Sequence, residues 1–221
     1  MTTENVARHF DEVAGDYDRW KARAHYYYQF VKSALAEVVP RSCRACEMGC
    51  GTGDLLASLE PAEGLGVDLS PQMVELARKK HPALRFEVHD LMSGPLDEQF
   101  DYVASVDVAE HVPDLTKALD SMARTAVPGG TIIVITANPR WGGILEIAEL
   151  LKLKMPEGDH EWRSYEVLSE AARAVGLREV SFRRGFVMPK AVPLLKRLNT
   201  SRRAERLRQG WGLMQRAVFS R

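Results

Sequence analysis

Short apolar runs alternate with longer segments of helical periodicity along this chain, and no other feature restricts the fold as strongly. The runs are short enough to be buried strands, and the segments between them repeat apolar residues every three or four positions. Such alternation is typical of parallel βαβ units. It predicts a doubly wound, mostly parallel α/β sheet with helices on both faces and an antiparallel last strand. The predicted strands are residues 45–48, 65–68, 84–88, 102–106, 131–136, 177–182 and 213–220.

One helix is expected before the first strand, at residues 6–39, and others between later strands, at residues 70–80, 115–126 and 164–175. Ser70 and Pro71 suit the first turn of the second of these helices, because serine caps a helix and proline tolerates the position after the cap. Gly176 suits the end of the last one.

The length of 221 residues suits one domain. We expect a helical cap at 1–40, a core at 41–137 and two insertions, at 138–163 and 184–212, on the same side of the sheet. No apolar run approaches the roughly 18 residues of a membrane span. The first residues are polar and acidic, unlike a secretory signal. The expected location is the cytoplasm.

The net charge is zero, but the charges are unevenly distributed. Residues 183–221 contain eleven Lys or Arg and a single acid, Glu205. A basic tail favours an anionic partner, such as a phospholipid surface, a phosphorylated substrate or nucleic acid. A solvated helix face is the alternative explanation. The segment therefore suggests peripheral membrane contact without establishing it.

A glycine-rich turn follows the first predicted strand, in the order Glu47-Met-Gly49-Cys-Gly51-Thr-Gly53. A turn there brings backbone N–H groups and a helix N-terminus to the crevice at the end of the strand. Dinucleotide-binding loops need a further glycine at position 54, where this chain has Asp54. The spacing therefore argues against a dinucleotide.

Two acidic residues end the next two strands. Asp68 can accept both hydroxyl hydrogens of a ribose, and a role as helix cap is less favoured because Ser70 already supplies one. Asp90 follows the third strand, where it would lie near an adenine or act as a simple turn residue.

Between Cys46 and Ala137 the motifs E-x-G-x-G-x-G, V-D-L-S, H-D-L, F-D-x-V-x-S-x-x-x-x-E-H-V and P-G-G-T occur in that order. This series resembles the class I S-adenosylmethionine-dependent methyltransferases. The resemblance implies a Rossmann-like fold with a seven-stranded sheet, and S-adenosylmethionine as cofactor. The cofactor-binding residues it implies are Tyr17, Glu47, Gly49, Gly51, Gly53, Asp68, Leu69, Asp90, Leu91 and Val106. Tyr17 belongs to a segment that resembles the N-terminal cap of small-molecule members; helix packing is its alternative role.

The downstream segments, including 137–139, 156–162 and 185–189, resemble the ubiquinone-biosynthesis O-methyltransferases, which methylate catechol-type polyprenyl phenols. That resemblance implies a divalent metal such as Mg²⁺ on Asp107, Glu110 and His111, holding two phenolic oxygens. The chain departs from the family in having Asp107 where Glu is usual. Moreover, Glu-His-Val also occurs in methyltransferases without metal, where it shapes the active-site loop.

Methyl transfer needs an aligned nucleophile and a base that removes its proton. His111 is the first candidate for that base and His160 the second, although either could be structural. The expected acceptor is a small phenolic, catechol or quinone-precursor compound, aromatic or amphipathic. N- or C-methylation in natural-product biosynthesis is the alternative. RNA is disfavoured, because Asn138-Pro139 is followed by Arg and Trp rather than by Pro and an aromatic residue.

The apolar positions of 144–153 recur at helical spacing. They predict a helix that lines a greasy pocket, lies on a membrane surface or simply faces the core.

Overall fold

A computed structural model describes residues 2–185 and 205–221. Seven strands form one sheet in the order β3-β2-β1-β4-β5-β7-β6. The first five strands are parallel, and β7 runs antiparallel to both β5 and β6. This sheet confirms the predicted fold class. The strands are β1 (Arg44–Met48), β2 (Glu63–Asp68), β3 (Arg85–Val88), β4 (Phe100–Val106), β5 (Ala126–Ala137), β6 (Arg178–Gly185) and β7 (Met214–Ser220).

Helices cover both faces of the sheet, and short 3₁₀ turns lie at Leu91–Ser93 and Pro139–Trp141. The predicted Ser70 cap is present, and Ser164 caps a second helix in the same way. The Ser70 hydroxyl accepts a hydrogen bond from Met73 N at 3.1 Å, and the Ser164 hydroxyl accepts one from Val167 N. The helices are α1 (Thr3–Arg23), α2 (His25–Ala36), α3 (Asp54–Ser58), α4 (Pro71–Lys80), α5 (Leu115–Thr125), α6 (Gly142–Leu150), α7 (Tyr165–Ala174) and α8 (Glu205–Trp211).

The N-terminal helix predicted at 6–39 is wrong in one respect, because it consists of two helices. The chain leaves helical geometry at Ala24 (φ −96°, ψ 19°). The break lets the two halves pack against different partners: α1 lies on α4, whereas Val31 and Leu35 of α2 join the core against β4 and β5. The apolar pattern continues through the break, so it gave no sign of the change in direction.

The central strands hold the core. Met48, Phe100 and Ile133 are fully buried, and apolar side chains of α5 and α7 pack on one face of the sheet while those of α2 and α3 pack on the other. Parallel strands covered on both faces read as continuous apolar runs, which explains why they were recognisable in the sequence.

In the described part of the chain, no helix has the length and apolar character needed to cross a membrane. Residues 186–204, which make up most of the predicted insertion at 184–212 and about half of the basic segment 183–221, lie outside the described residues.

Candidate active site

A pocket opens where the carboxyl ends of β1, β2 and β4 meet α1. The topology explains its position. β1 and β4 are neighbours in the sheet, but the strand that follows β1 lies on one side of this pair and the strand that follows β4 lies on the other. The connections therefore diverge, and a crevice opens between them. Eight of the ten residues predicted to bind a cofactor line this pocket: Tyr17, Gly49, Gly51, Asp68, Leu69, Asp90, Leu91 and Val106. The structure thus brings together residues from five separate segments.

The glycine turn needs its small residues for two different reasons. Gly49 and Gly51 have φ of 81° and 52°, in the left-handed region that glycine adopts without strain. A Cβ on Gly49 would lie 2.1 Å from Cγ2 of Val108, and one on Gly51 would lie 3.1 Å from the ring of Tyr17. Any side chain would therefore enter the space between the turn and its neighbours.

Asp68 is held at the pocket by the backbone. Its Oδ2 accepts a hydrogen bond from Gly51 N at 2.8 Å, and its Oδ1 accepts one from Ser70 N at 2.9 Å. Burial raises the pKa of this carboxyl group. The side chain therefore joins the glycine turn to the start of α4.

The other acid, Asp90, is a turn residue that also lies in the pocket wall, and its predicted contact with an adenine stays a prediction. It lines the pocket, and its Oδ1 accepts a hydrogen bond from Met92 N at 2.8 Å, which caps the 3₁₀ turn Leu91–Ser93.

Glu47 and Gly53 lie behind the pocket rather than in its wall. The Glu47 carboxylate is buried and its Oε2 accepts a hydrogen bond from Leu56 N at 2.8 Å in α3. Burial raises the pKa of Glu47 to about 8. Gly53 precedes the first residue of α3. Neither residue is among those that line the pocket, so their predicted contact with a cofactor stays a prediction.

Residues of the helix α1 cover one side of the pocket, and hydrogen bonds hold the helix there. Asp11 Oδ1 accepts hydrogen bonds from Ser70 Oγ (2.5 Å) and Gln72 N (3.2 Å). Two turns further along α1, Asp18 accepts a hydrogen bond from Thr52 Oγ1 at 2.8 Å. These contacts fix α1 to α4 and to the glycine turn. Sequence reasoning placed Tyr17 in the cap but missed Asp11, whose partners lie about sixty residues away.

Asp107, the residue directly after β4, marks the other side of the pocket. It lines the wall with φ of 53°, an uncommon conformation for a residue with a side chain. Its Oδ1 accepts a hydrogen bond from the hydroxyl of Tyr27 at 2.7 Å, and burial raises the pKa of the carboxyl group.

Glu110 and His111 have partners different from that of Asp107. Glu110 is buried and accepts a hydrogen bond from Thr136 Oγ1 at 2.8 Å. His111 lines the pocket, with Nδ1 at 3.3 Å from the carbonyl oxygen of Asp159, and burial lowers its pKa to about 4. Across the residues the structure describes, no three His, Cys, Asp or Glu side chains form a group able to hold a metal ion. The predicted Mg²⁺ site on Asp107, Glu110 and His111 is therefore not supported.

A row of aromatic rings leads from the pocket wall towards the surface. Phe10 and His111, which both line the pocket, make edge contact with centroids 5.3 Å apart. His160 follows at 6.2 Å from His111, and Trp162 at 4.6 Å from His160. We call Phe10, His111, His160 and Trp162 the aromatic row. His160, the second candidate base, thus lies behind His111 rather than in the pocket wall.

Arg163 connects the segment carrying this row to the loop after β4, and sequence reasoning missed it. Its buried guanidinium donates from Nη2 to the carbonyl oxygen of Val112 at 3.0 Å and pairs with Glu161 at 2.8 Å. Glu161 N in turn donates to Glu110 O at 2.8 Å. Residues 159–163 are therefore tied to residues 109–112, which form part of the pocket wall.

Residues 46–134 match the family described as "Methyltransferase domain". Together with the seven-stranded sheet and the pocket at its carboxyl edge, this match shows that the chain contains a methyltransferase domain with the fold of the class I S-adenosylmethionine-dependent enzymes.

Among curated relatives, the ubiquinone biosynthesis O-methyltransferase of Nitrobacter winogradskyi is 27% identical over 163 residues, 66% of this chain and 62% of that protein. The enzyme of the same name from Neisseria meningitidis is 31% identical, over 59% of this chain and 60% of that one. The matches thus span about three-fifths of these relatives. The demethylmenaquinone methyltransferase of Bacillus cereus is 27% identical, over 80% of this chain and 84% of that protein.

Solved structures support the same fold over nearly the whole length. A chain from the complex of the Haloferax volcanii Trm112 methyltransferase activator with a methyltransferase aligns with a TM-score of 0.74 at 26% identity, covering 96% of both chains. An S-adenosylmethionine-dependent methyltransferase from Thermotoga maritima aligns with a TM-score of 0.76 at 21% identity, covering 97% of this chain and 99% of that one.

Proposed function

We propose that the protein transfers the methyl group of S-adenosylmethionine to an oxygen of a small phenolic, catechol or quinone-precursor compound. The observation that carries the proposal is the arrangement of one pocket with two unlike walls. The wall with Asp68 and the glycine turn suits a nucleoside, and the wall with Asp107 and His111 suits an acceptor.

The cofactor wall fits the chemistry of S-adenosylmethionine. Asp68 would accept the ribose hydroxyls, Asp90 and Leu91 would lie beside the adenine, and the turn at Gly49 and Gly51 would contact the amino-acid end. Bound there, the cofactor would supply the methyl carbon of its sulfonium group, and a neutral thioether would be the leaving group. Tyr17, lying against Gly51 under the cap, would help to exclude water from this end.

Asp107 is the residue to which we assign removal of the acceptor proton. It lies in the pocket wall, and its bond from Tyr27 holds the carboxylate in place while other acceptor positions stay available. As the acceptor oxygen attacks the methyl carbon, its O–H proton passes to Asp107 and the electron pair of the C–S bond stays on sulfur. A base whose pKa lies nearer neutrality is better matched to this task than a weakly basic one.

His111, the base favoured by sequence reasoning, receives an orienting role in this proposal. Burial keeps its imidazole neutral at pH 7, and its lowered pKa means that it would hold a proton weakly. Its ring, in edge contact with Phe10, would position the acceptor, and His160 would support it from behind.

An aromatic acceptor is favoured by the aromatic row and by the relatives' names. Phe10 and His111, whose rings are in edge contact on the wall, offer the geometry that another ring prefers. The similar proteins carry names that refer to ubiquinone, demethylmenaquinone and tocopherol, the last a chloroplastic enzyme of Arabidopsis thaliana that is 35% identical over 103 residues.

The experiment that tests this function measures release of S-adenosylhomocysteine with a panel of catechols, monophenols, hydroquinones, aromatic amines and short RNA. We expect turnover with catechol or hydroquinone compounds and a methylated oxygen in the product. Turnover confined to amines, to a ring carbon or to RNA would contradict O-methylation and leave the methyltransferase class untouched.

The role of Asp107 predicts a distinct pattern in two variants. Asp107→Asn should lower kcat at least about 100-fold with little change in the acceptor KM, because general-base catalysis contributes about that factor. His111→Gln should mainly raise the acceptor KM. Steady-state kinetics on both variants checks this, and a larger loss of kcat in His111→Gln would return the role of base to the histidine.

A further inference from the structure

The helix α6 and the turn after it expose an unusual amount of apolar surface. Five large aliphatic side chains lie within ten residues and are all more than half exposed. They are Ile144 (58%), Ile147 (59%), Leu150 (82%), Leu151 (61%) and Leu153 (63%). We call these five residues the α6 apolar face. Single exposed apolar residues are common in soluble proteins, but a contiguous group marks a surface that contacts something else.

The exposure does not come from a helix that lacks a packed side. Leu145 packs against the core, and Gly142 is buried beneath Trp162, where an added Cβ would lie 2.9 Å from the indole ring. Ile144, Ile147 and Leu151 follow a spacing of three and four and so share the opposite side. The helix therefore presents apolar residues on both sides, one to the core and one outward.

The end of α8 extends this surface. Trp141, just before α6, donates from Nε1 to the carbonyl oxygen of Trp211 at 2.8 Å, and Arg140 Nη1 donates to Gly210 O at 3.0 Å. These bonds hold α8 beside the start of α6. Trp211 is itself 55% exposed and Leu207 42%. A large indole beside aliphatic residues is typical of surfaces that enter a lipid headgroup region.

Cationic side chains flank the apolar group. Arg140 precedes α6, Lys152 follows it, and Arg206 lies on α8; all three are exposed. The acids of α6 are engaged with the protein itself, since Glu146 accepts from Trp162 Nε1 and Glu149 accepts from Glu157 N. Apolar residues bordered by cations are complementary to an anionic bilayer, where the cations meet phosphate groups and the apolar side chains enter the acyl boundary.

We infer that the α6 apolar face docks onto the surface of a phospholipid membrane that contains anionic lipid. The inference goes beyond the proposed function, because it concerns a surface outside the pocket. Its main contact lies on α6, outside the basic segment 183–221, and only α8 with Arg206 and Trp211 belongs to that segment.

Docking here would place the pocket near the bilayer. The helix α6 follows β5 at the carboxyl edge of the sheet, and Trp162 of the aromatic row packs on Gly142 at its start. An amphipathic acceptor could then present its ring to the pocket while its apolar part stays in the lipid.

The test is sedimentation of the full chain with sucrose-loaded vesicles, in the absence of S-adenosylmethionine and acceptor, so that failure of the proposed function cannot affect the result. Vesicles of phosphatidylcholine alone are compared with vesicles containing 30% phosphatidylglycerol, a fraction of roughly the anionic lipid content of a charged leaflet. The variants are Ile147→Gln/Leu151→Gln, Lys152→Gln/Arg206→Gln and a control, Val167→Gln, which removes an exposed apolar residue of α7.

We expect the wild type and Val167→Gln to partition equally onto the anionic vesicles. The apolar double variant should lose about tenfold or more in partition coefficient. The basic double variant should lose about tenfold on anionic vesicles and little on neutral ones. Unchanged circular dichroism and S-adenosylmethionine affinity would show that the variants are folded.

Three outcomes would overturn the inference. The first is a wild type that stays in the supernatant with anionic vesicles. The second is an apolar double variant that binds like the wild type, which would assign the contact to another segment. The third is a concentration-dependent dimer that the same variant abolishes, without vesicle binding, which would assign the surface to a second copy of the chain.

Discussion

The two walls of the pocket are built in different ways. The cofactor wall comes from β1, β2 and the turns that follow them, and its polar contacts are largely with the backbone, as at Asp68. The acceptor wall depends on side chains that reach across long stretches of sequence, as Tyr27 does to the carboxylate of Asp107 and Arg163 to the carbonyl oxygen of Val112. A wall made from backbone tolerates few residue types, whereas a wall made from side chains can change its specificity by substitution.

The largest expected effect tests how closely the glycine turn of the cofactor wall is packed. Gly49→Ala should lower the free energy of unfolding by about 3 kcal/mol or more, because the new Cβ overlaps Val108 and the residue also has positive φ. Gly129→Ala is the matched control, with φ of 80° and open space around the added Cβ. It should cost only the conformational part, about 1 kcal/mol. Chemical denaturation measures both, and equal losses would contradict the close-packing argument.

The next effect separates the two walls. Arg163→Met keeps the length of the buried side chain but removes the hydrogen bonds to the loop after β4. Acceptor kcat/KM should fall about 100-fold, as expected when a displaced loop misplaces a reacting group. S-adenosylmethionine affinity should change less than about threefold, since the cofactor wall keeps its own contacts.

Arg41→Met, at an exposed ion pair with Glu60, is the control for Arg163→Met and should leave both quantities unchanged. Addition of guanidinium to an Arg163→Gly variant should restore part of the activity if the lost groups are the donors. Equal losses in acceptor turnover and cofactor affinity would show that the walls are not independent.

A smaller effect concerns the pH dependence of stability beneath the cofactor wall. The pKa of Glu47 is raised to about 8 in the folded state by burial, above its ordinary value of 4.5. Between these two values the folded chain keeps the proton and the unfolded chain releases it, so stability falls as the pH rises. One pKa unit corresponds to about 1.4 kcal/mol.

Glu47→Gln removes this titration. The wild type should therefore lose at least about 1 kcal/mol more than the variant between pH 5 and pH 8. Urea denaturation at several pH values measures the difference. Parallel pH profiles for the two proteins would mean that Glu47 is ionised in the folded chain.

The cofactor wall was easier to predict from the sequence than the acceptor wall, because its contacts are local. The strands, the glycine turn and Asp68 are local features, because apolar runs and turn residues are set by nearest neighbours. The Asp107–Tyr27 bond joins residues 80 positions apart, and Arg163 reaches back 51 positions to Val112. Neither contact leaves a periodic signal. In the sequence, Arg163 resembles any solvent-exposed arginine, and only the structure shows that it is buried.

The break at Ala24 and the partners of Glu110 and His111 escaped prediction for a related reason. The spacing of Asp107, Glu110 and His111 suggested a shared ligand, but side-chain direction depends on the backbone at Asp107, whose positive φ a sequence does not show. The directions of these side chains become known only from the tertiary structure.

In the proposed function, Asp68 holds the ribose of S-adenosylmethionine in the cofactor wall. Isothermal titration calorimetry of the wild type, Asp68→Asn and the exposed control Asp97→Asn tests it directly. We expect the wild type and Asp97→Asn to bind alike and Asp68→Asn to bind at least about 30-fold more weakly, as loss of charge-assisted hydrogen bonds implies. Equal affinity in all three proteins, or no binding by the wild type, would contradict the account.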